Sequence, residues 1–155
     1  MNVTSFLIEA HIFRRKENNI EFLLLKRAEH EKYNGIWQMV TGSIDNDEKA
    51  YQTAIREIKE ETNLLIDKLW VVPHVNSFYS PERDVVCMVP VFVAEVDKNK
   101  EVKISYEHDE YKWVDKEEAL KLLAWPGQRK AVQIIYEYFS QKTSLLEFIE
   151  IKERS

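Results

Sequence analysis

"GSIDNDEKAYQTAIREIKEETNL" (residues 42–64) decides how the rest of this chain is read. Tyr51, Ala54, Ile55, Ile58 and Thr62 fall on one arc when residues are spaced about 100° apart, which predicts an amphipathic helix over 47–62. Asp45, Asn46 and Asp47 offer capping oxygens at its start, and Glu48 is expected in the first turn, where the helix dipole favours an anion. Asn63 is the expected terminator, because asparagine tolerates the left-handed backbone common just past a helix end. Glu57, Glu60 and Glu61, spaced i, i+3 and i+4, form a face of their own beside the apolar one. Gln52, Arg56 and Lys59 fill the remaining arc and are expected to face water, where they would neutralise the glutamates poorly. Like charges at this spacing repel by a few tenths of a kcal/mol per pair, near a helix end whose dipole also disfavours anions. A solvated acidic stripe is the ordinary explanation of such a pattern. Hard divalent cations such as Mg²⁺ or Mn²⁺, which seek clustered carboxylate oxygens, also account for the uncompensated repulsion.

On either side of this helix the chain reads mainly as strands. Residues 2–13 and 20–28 are apolar runs separated by a polar turn at 14–19, and 36–42 is a short extended piece. Residues 69–80 and 84–96 are two further strands around a turn, with Pro90 marking a bulge or an edge. A polar strand is expected over 101–106 and another over 111–115, followed by helices over 116–124 and 127–140; the tail beyond is amphipathic in either period. Many strands with one helix inserted and others near the end predict an α/β domain, a mixed sheet covered by helices on its faces. With no repeat, low-complexity tract or linker-like segment, residues 1–155 are expected to form one domain.

The bulk properties exclude several classes. A net charge of −5 disfavours a general nucleic-acid surface, but admits a polyphosphate if cations stand between the two negative partners. No apolar run approaches the roughly 20 residues of a membrane span, and the first residues lack the basic and apolar regions of a signal peptide. The single cysteine, Cys87, lies in an apolar run and reads as buried filler. These features favour a cytoplasmic protein with no membrane or nucleic-acid partner and leave room for a small polyanionic substrate.

Gly42, Glu48, Arg56-Glu57, Ile58, Glu60-Glu61 and Leu64 resemble the Nudix box, G-x5-E-x7-R-E-U-x-E-E-x-G-U with U a bulky apolar residue. Every fixed position matches except the last glycine, which is Asn63 here. The resemblance implies a Nudix α/β/α sandwich with the loop–helix–loop of the box, and hydrolysis of a nucleoside diphosphate linked to another moiety. It implies Glu57 and Glu61 as principal metal ligands, Glu60 as a third ligand or one acting through water, and a contribution from the Gly42 carbonyl. Glu48 and Arg56 would brace the loop against the helix.

The flanks "WQMVTGSI" (37–44), "EHDEYKWVD" (107–115) and "LLAWPGQRKAVQ" (122–133) are similar to the bacterial dihydroneopterin triphosphate pyrophosphatases, which act in folate biosynthesis and also accept nucleoside triphosphates such as dATP. By that resemblance Glu107 is a further metal ligand or base, and Arg27 and Thr41 contact substrate; Trp37, with Phe78, Tyr79 and Trp125, offers a flat ring that could stack on a pterin or purine. The implied reaction is Mg²⁺-dependent release of pyrophosphate from a triphosphate, with Glu107 or Glu60 taking the proton of the attacking water. Two alternatives stand beside it: a Nudix hydrolase of a dinucleoside polyphosphate or nucleotide sugar, and a non-catalytic nucleotide-binding module. The intact ionisable positions of the box disfavour the latter. Among the remaining polar residues, His108 is read as solvated or capping, and His11 and His74, within strand-like runs, are assigned no role.

Overall fold

Strand alternation divides the apolar residues into two cores, one on each face of a sheet. In β2 (Leu7–Lys16) Ile8, Ala10 and Ile12 belong to one core and Phe13 to the other; in β3 (Asn19–Arg27) Leu23 and Leu25 join the first, Phe22 and Leu24 the second. The remaining strands are β1 (Asn2–Thr4), β4 (Trp37–Gln38), β5 (Val40–Ser43), β6 (Lys68–Ser80), β7 (Val85–Glu95) and β8 (His108–Val114), which complete an eight-stranded sheet. β7 runs parallel to β1 and β2 and antiparallel to β6, while β3 is antiparallel to β2, β4 and β8. The computed structural model describes residues 1–152.

Helix α1 (Ala50–Thr62) seats Ala54 and Ile58 on the first core. On the opposite face α3 (Pro126–Ser140), reached through α2 (Lys116–Leu122), presses Ala131, Val132, Ile135 and Phe139 into the second. There the Phe139 ring centroid lies 4.5 Å from that of Phe13 and 4.7 Å from that of Trp70. The expected mixed sheet between helical layers is therefore present.

Several local expectations change. The first strand breaks at Ser5 and Phe6, because β1 pairs with β7 and β2 takes over that edge further along. The helix starts at Ala50, not near residue 47, since Asp47 has φ 69°, a left-handed conformation that no helical residue adopts. Glu48 is thereby left outside the helix. Residues 101–106 form no strand: Lys103 and Ser105 donate their backbone N–H groups to the carbonyls of Thr62 and Glu61 (2.9 and 3.3 Å), meeting the unpaired acceptors at the end of α1. At Pro90 the expected bulge is found, since β6–β7 pairing shifts register between Val71 and Val75 and resumes at Val75–Pro90. The tail forms a 3₁₀ turn (Thr143–Leu145) and α4 (Leu146–Ile149), after which Ile151 N–H donates to the Leu69 carbonyl (2.8 Å) at the outer edge of β6.

Asn63 ends α1 as its position suggests, with φ 61°, and its N–H donates to the Lys59 carbonyl. A left-handed conformation costs most non-glycine residues about 1–2 kcal/mol. Urea unfolding should therefore show Asn63→Ala losing about 1 kcal/mol, and Asn63→Gly unchanged or slightly gained; equal losses for both would contradict this backbone assignment.

Candidate functional site

The end of β5 passes directly beneath α1. A Cβ added to Gly42 would collide with the Cγ and carboxyl carbon of Glu57, so only glycine lets strand and helix approach this closely. The approach sets the Glu57 carboxylate against the backbone of β5.

Arg56 does not point away from the glutamates, as the helical wheel suggested. Its long side chain bends back across the helix start, because Glu48 waits there outside the first turn. The Arg56 Nε donates to Glu48 Oε2 (2.8 Å) and Nη2 to Glu48 Oε1 (3.0 Å), while Nη2 also reaches the Ser43 carbonyl (3.0 Å). Nη1 donates to Glu57 Oε1 (2.8 Å) and lies 3.3 Å from Glu60 Oε2. Thr53 Oγ1 adds a third hydrogen bond to Glu48 (2.6 Å). Chiefly through the Arg56 hydrogen bonds, the Glu48 carboxyl is lowered to about 2, and Arg56 is held charged. The loop before the helix is thus tied to the glutamate face by one guanidinium.

Glu61 has the opposite environment. It is 1% exposed, and its Oε2 has no hydrogen-bond partner. Burial first, then the hydrogen bond and charge of Glu57, then the charge of Glu107, push it up to about 10, against the opposing field of Arg27. Glu107 is also raised, by burial and then by the charges of Glu57 and Glu31. It sits just beyond the segment bound to the last carbonyls of α1, and its own carbonyl accepts from Ala28 N–H (3.0 Å). Glu60 remains largely exposed. Glu57, Glu61 and Glu107 therefore form an electrostatically coupled set, with Glu60 at its rim.

Arg27, at the end of β3, donates Nε to the Lys32 carbonyl (2.6 Å), which aims its charge toward that set. Trp37 and Thr41 lie on the other side. Trp37 packs with the α3-face core, and Thr41, paired opposite Glu9, alternates away from the neighbouring Gly42. The carboxylates and these two residues thus lie on opposite faces of the sheet.

His108 corrects a sequence expectation. It is buried, not solvated: its Nε2 lies 3.7 Å from Glu61 Oε1 and 3.3 Å from the Gln38 amide nitrogen, and burial lowers it to about 4. Strand alternation does not give this away, because β8 is irregular here: its pairing with β3 shifts register between Lys26–Glu110 and Arg27–His108, and both Asp109 and Glu110 are exposed. Two residues given no role or overlooked, His11 and Glu9, also meet in the interior, with 2.8 Å between His11 Nε2 and Glu9 Oε2. Their i, i+2 spacing on one strand was the available sign.

The donor set suits a hard divalent cation. It consists of oxygens, it is crowded enough to raise its own proton affinity, and Glu61 leaves a buried oxygen unmet. Among the described residues no three or more His, Cys, Asp or Glu side chains are gathered so as to hold a metal ion as they stand, and Arg56 binds Glu57.

A family model described as the NUDIX domain matches residues 8–134. The asymmetrical bis(5'-nucleosyl)-tetraphosphatase of Caenorhabditis elegans is 33% identical over 72% of this chain and 79% of its own. The dihydroneopterin triphosphate diphosphatase of Haemophilus influenzae is 27% identical over 79% of this chain and 81% of its own. The crystal structure of a MutT protein from Methanosarcina mazei superposes with a TM-score of 0.71 at 26% identity, covering 90% of this chain and 97% of the other.

A carboxyl whose folded value lies above its unfolded one holds a proton that the unfolded chain has released. Stability is then lost as pH rises from the unfolded value toward the folded one. For Glu61 that window runs from about 4.5 to about 10. His108, lowered to about 4, acts in the opposite sense below its ordinary 6.5. Metal-free protein should therefore lose stability between pH 7 and pH 9, and Glu61→Gln should flatten this decline in urea melts. A parent profile that is flat across this range would contradict the burial of Glu61.

Proposed function

The chain belongs to the Nudix family, whose hydrolases act on pyrophosphate bonds, and on that premise we propose that it is a Mg²⁺-dependent hydrolase of dinucleoside polyphosphates. The observation that carries the catalytic part is the buried carboxyl of Glu61, left with an unmet oxygen beside Glu57 and within the field of Glu107. Glu57, Glu61 and Glu107 would hold Mg²⁺, or Mn²⁺ in its place, with Glu60 at the rim and the Gly42 carbonyl close by. Divalent cations at such a site supply positive charge against phosphate oxygens and acidify water.

The protein's own groups account for the remaining needs of the reaction. Arg27 brings a fixed positive charge to the same field, which favours a polyphosphate over a neutral ligand. The raised proton affinity of Glu107 suits a group that accepts a proton from the attacking water. Arg56 holds Glu57 and the loop in register, so these carboxylates need little rearrangement when substrate arrives. Around the end of the sheet, the exposed rings of Tyr33 and Trp125 meet edge-on with centroids 5.7 Å apart, and Lys32 Nζ lies 5.2 Å from the Tyr33 ring. Flat rings and a cation at the rim favour a substrate that joins a heteroaromatic ring to phosphates.

A second reading, cleavage of dihydroneopterin triphosphate or a nucleoside triphosphate such as dATP, is supported by the likeness to the Haemophilus protein and by the flanking segments of the box. The products distinguish the two. With Mg²⁺, asymmetric cleavage of a dinucleoside tetraphosphate yields a nucleoside monophosphate and a triphosphate, whereas cleavage of a triphosphate yields a monophosphate and pyrophosphate. Chromatography of the products from both substrate types should show faster turnover of the dinucleotide. Glu61→Gln should lower that turnover by ~100-fold, the scale seen when metal sites lose support. A loss within threefold would sink the metal-site reading.

A further inference from the structure

His108 and Gln38 lie beside the carboxylate set without belonging to it, and β4, β8 and α1 bring them to Glu61 on one face of the sheet. Gln38 of β4 pairs with Leu25, whose side chain belongs to the core under α1. His108 of β8 pairs with Arg27, two residues further along β3 and so on the same face. The backbone fixes the approach as well. His108 N–H donates to the Ser105 carbonyl (3.2 Å), and Ser105 N–H donates to the carbonyl of Glu61 (3.3 Å). The imidazole is thereby suspended from the end of α1, with its side chain fully buried.

The two ring nitrogens are unequal. Nε2 lies 3.7 Å from Glu61 Oε1 and 3.3 Å from the Gln38 amide nitrogen, whereas Nδ1 is buried with no hydrogen-bond partner. A neutral imidazole carries one N–H. Placed on Nδ1, it would be a buried donor without an acceptor, which is rarer in proteins than an unmet acceptor. Placed on Nε2, it faces Glu61 Oε1 and, after a half-turn that exchanges the Gln38 amide nitrogen and oxygen, a second acceptor. The surroundings therefore favour the Nε2–H tautomer. Space filling does not account for the residue, because an apolar side chain would occupy the same volume without leaving a polar atom unmet. At 3.7 Å the Nε2–H and Oε1 stand just short of a hydrogen bond, and bonds that serve a reaction are often long before a ligand arrives. The Glu61 oxygens differ to match: Oε1 faces His108, and Oε2 is the buried atom with no partner.

We infer that His108 is a positioning residue for Glu61: its Nε2–H takes Oε1 and so commits Oε2 to the cation, with Gln38 fixing the direction of the ring. A carboxylate held by one oxygen presents the other in a set direction, which is what groups behind metal ligands supply. His108 itself touches neither cation nor substrate. This inference rests on the metal-site reading of the preceding subsection.

Amide side chains separate this role from mere bulk. The amide nitrogen of glutamine reaches the place of Nε2, and that of asparagine the place of Nδ1. Mn²⁺ titrations of the intact protein, read by loss of the free-ion EPR signal, should place His108→Gln within about threefold of the parent and His108→Asn and His108→Leu at least about tenfold weaker, the scale on which support behind a metal ligand is felt. Urea melts should not follow that order, since leucine satisfies burial at least as well as glutamine. Equal affinity in all three variants, equal loss in all three, or an affinity order that follows stability would overturn the inference. Long-range ¹H–¹⁵N NMR of the parent decides without any variant. With Mg²⁺ present, His108 should show a protonated Nε2 and a bare Nδ1, and the reverse tautomer would overturn the assignment. A parent that binds no Mn²⁺ at millimolar concentration overturns the metal-site reading itself, whereas binding indifferent to His108 overturns the inference alone.

Discussion

One guanidinium holds the candidate site together. Arg56 reaches the Ser43 carbonyl, the Glu48 carboxylate, and Glu57 and Glu60 on its own helix, so loop and helix are fixed to each other through a single planar group. Arginine suits this place because its fork of donors satisfies several oxygens at once and stays charged while doing so. Without it, Glu48 and Glu57 would be left as repelling charges near a half-buried loop. The neighbouring Gly42 makes the complementary contribution, bringing the strand under Glu57 where any side chain would block it.

That tie also sets two different fates for the carboxylates. Glu48, bound by Arg56 and Thr53, is a satisfied anion whose role is to hold shape. Glu61 receives no such partner and is pressed into a dry environment beside two other acids. A satisfied carboxylate in the loop before the helix and an unsatisfied one near its end thus lie on either side of Glu57, which Arg56 also binds. Burial makes the Glu61 oxygen a poor anion alone, and the cation proposed for this site would supply the partner it lacks.

Much of this was legible in the sequence, for identifiable reasons. The apolar arc of Ala54 and Ile58, the left-handed end at Asn63 and the bulge opposite Pro90 all follow from local chemistry that tertiary contacts did not override. The reversal of Arg56 was not legible from a helical wheel, which gives the direction of Cβ but not where a long side chain bends. Nor was the fate of residues 101–106, whose amide protons serve the end of another element instead of a strand partner. His108, in a polar segment ahead of the strand expected over 111–115, reads as solvated or capping, and His11, within a strand-like run, shows no partner at metal spacing. Their burial depends on what packs around them: Glu61 of the helix beside His108, and Glu9 with Asn76 of the neighbouring strand β6 around His11.

Within β5, Thr41 and Gly42 face opposite layers, one on the side of Glu9 and α3 and the other toward Glu57. A strand with that arrangement cannot drift in length. Inserting or deleting one residue would turn every side chain of β5 to the wrong layer, removing the glycine from beneath the helix and the threonine from the far side in the same event. Divergence among chains built this way can therefore alter the other residues of this strand, but the glycine and the strand's phase relative to its neighbours are inherited as a unit.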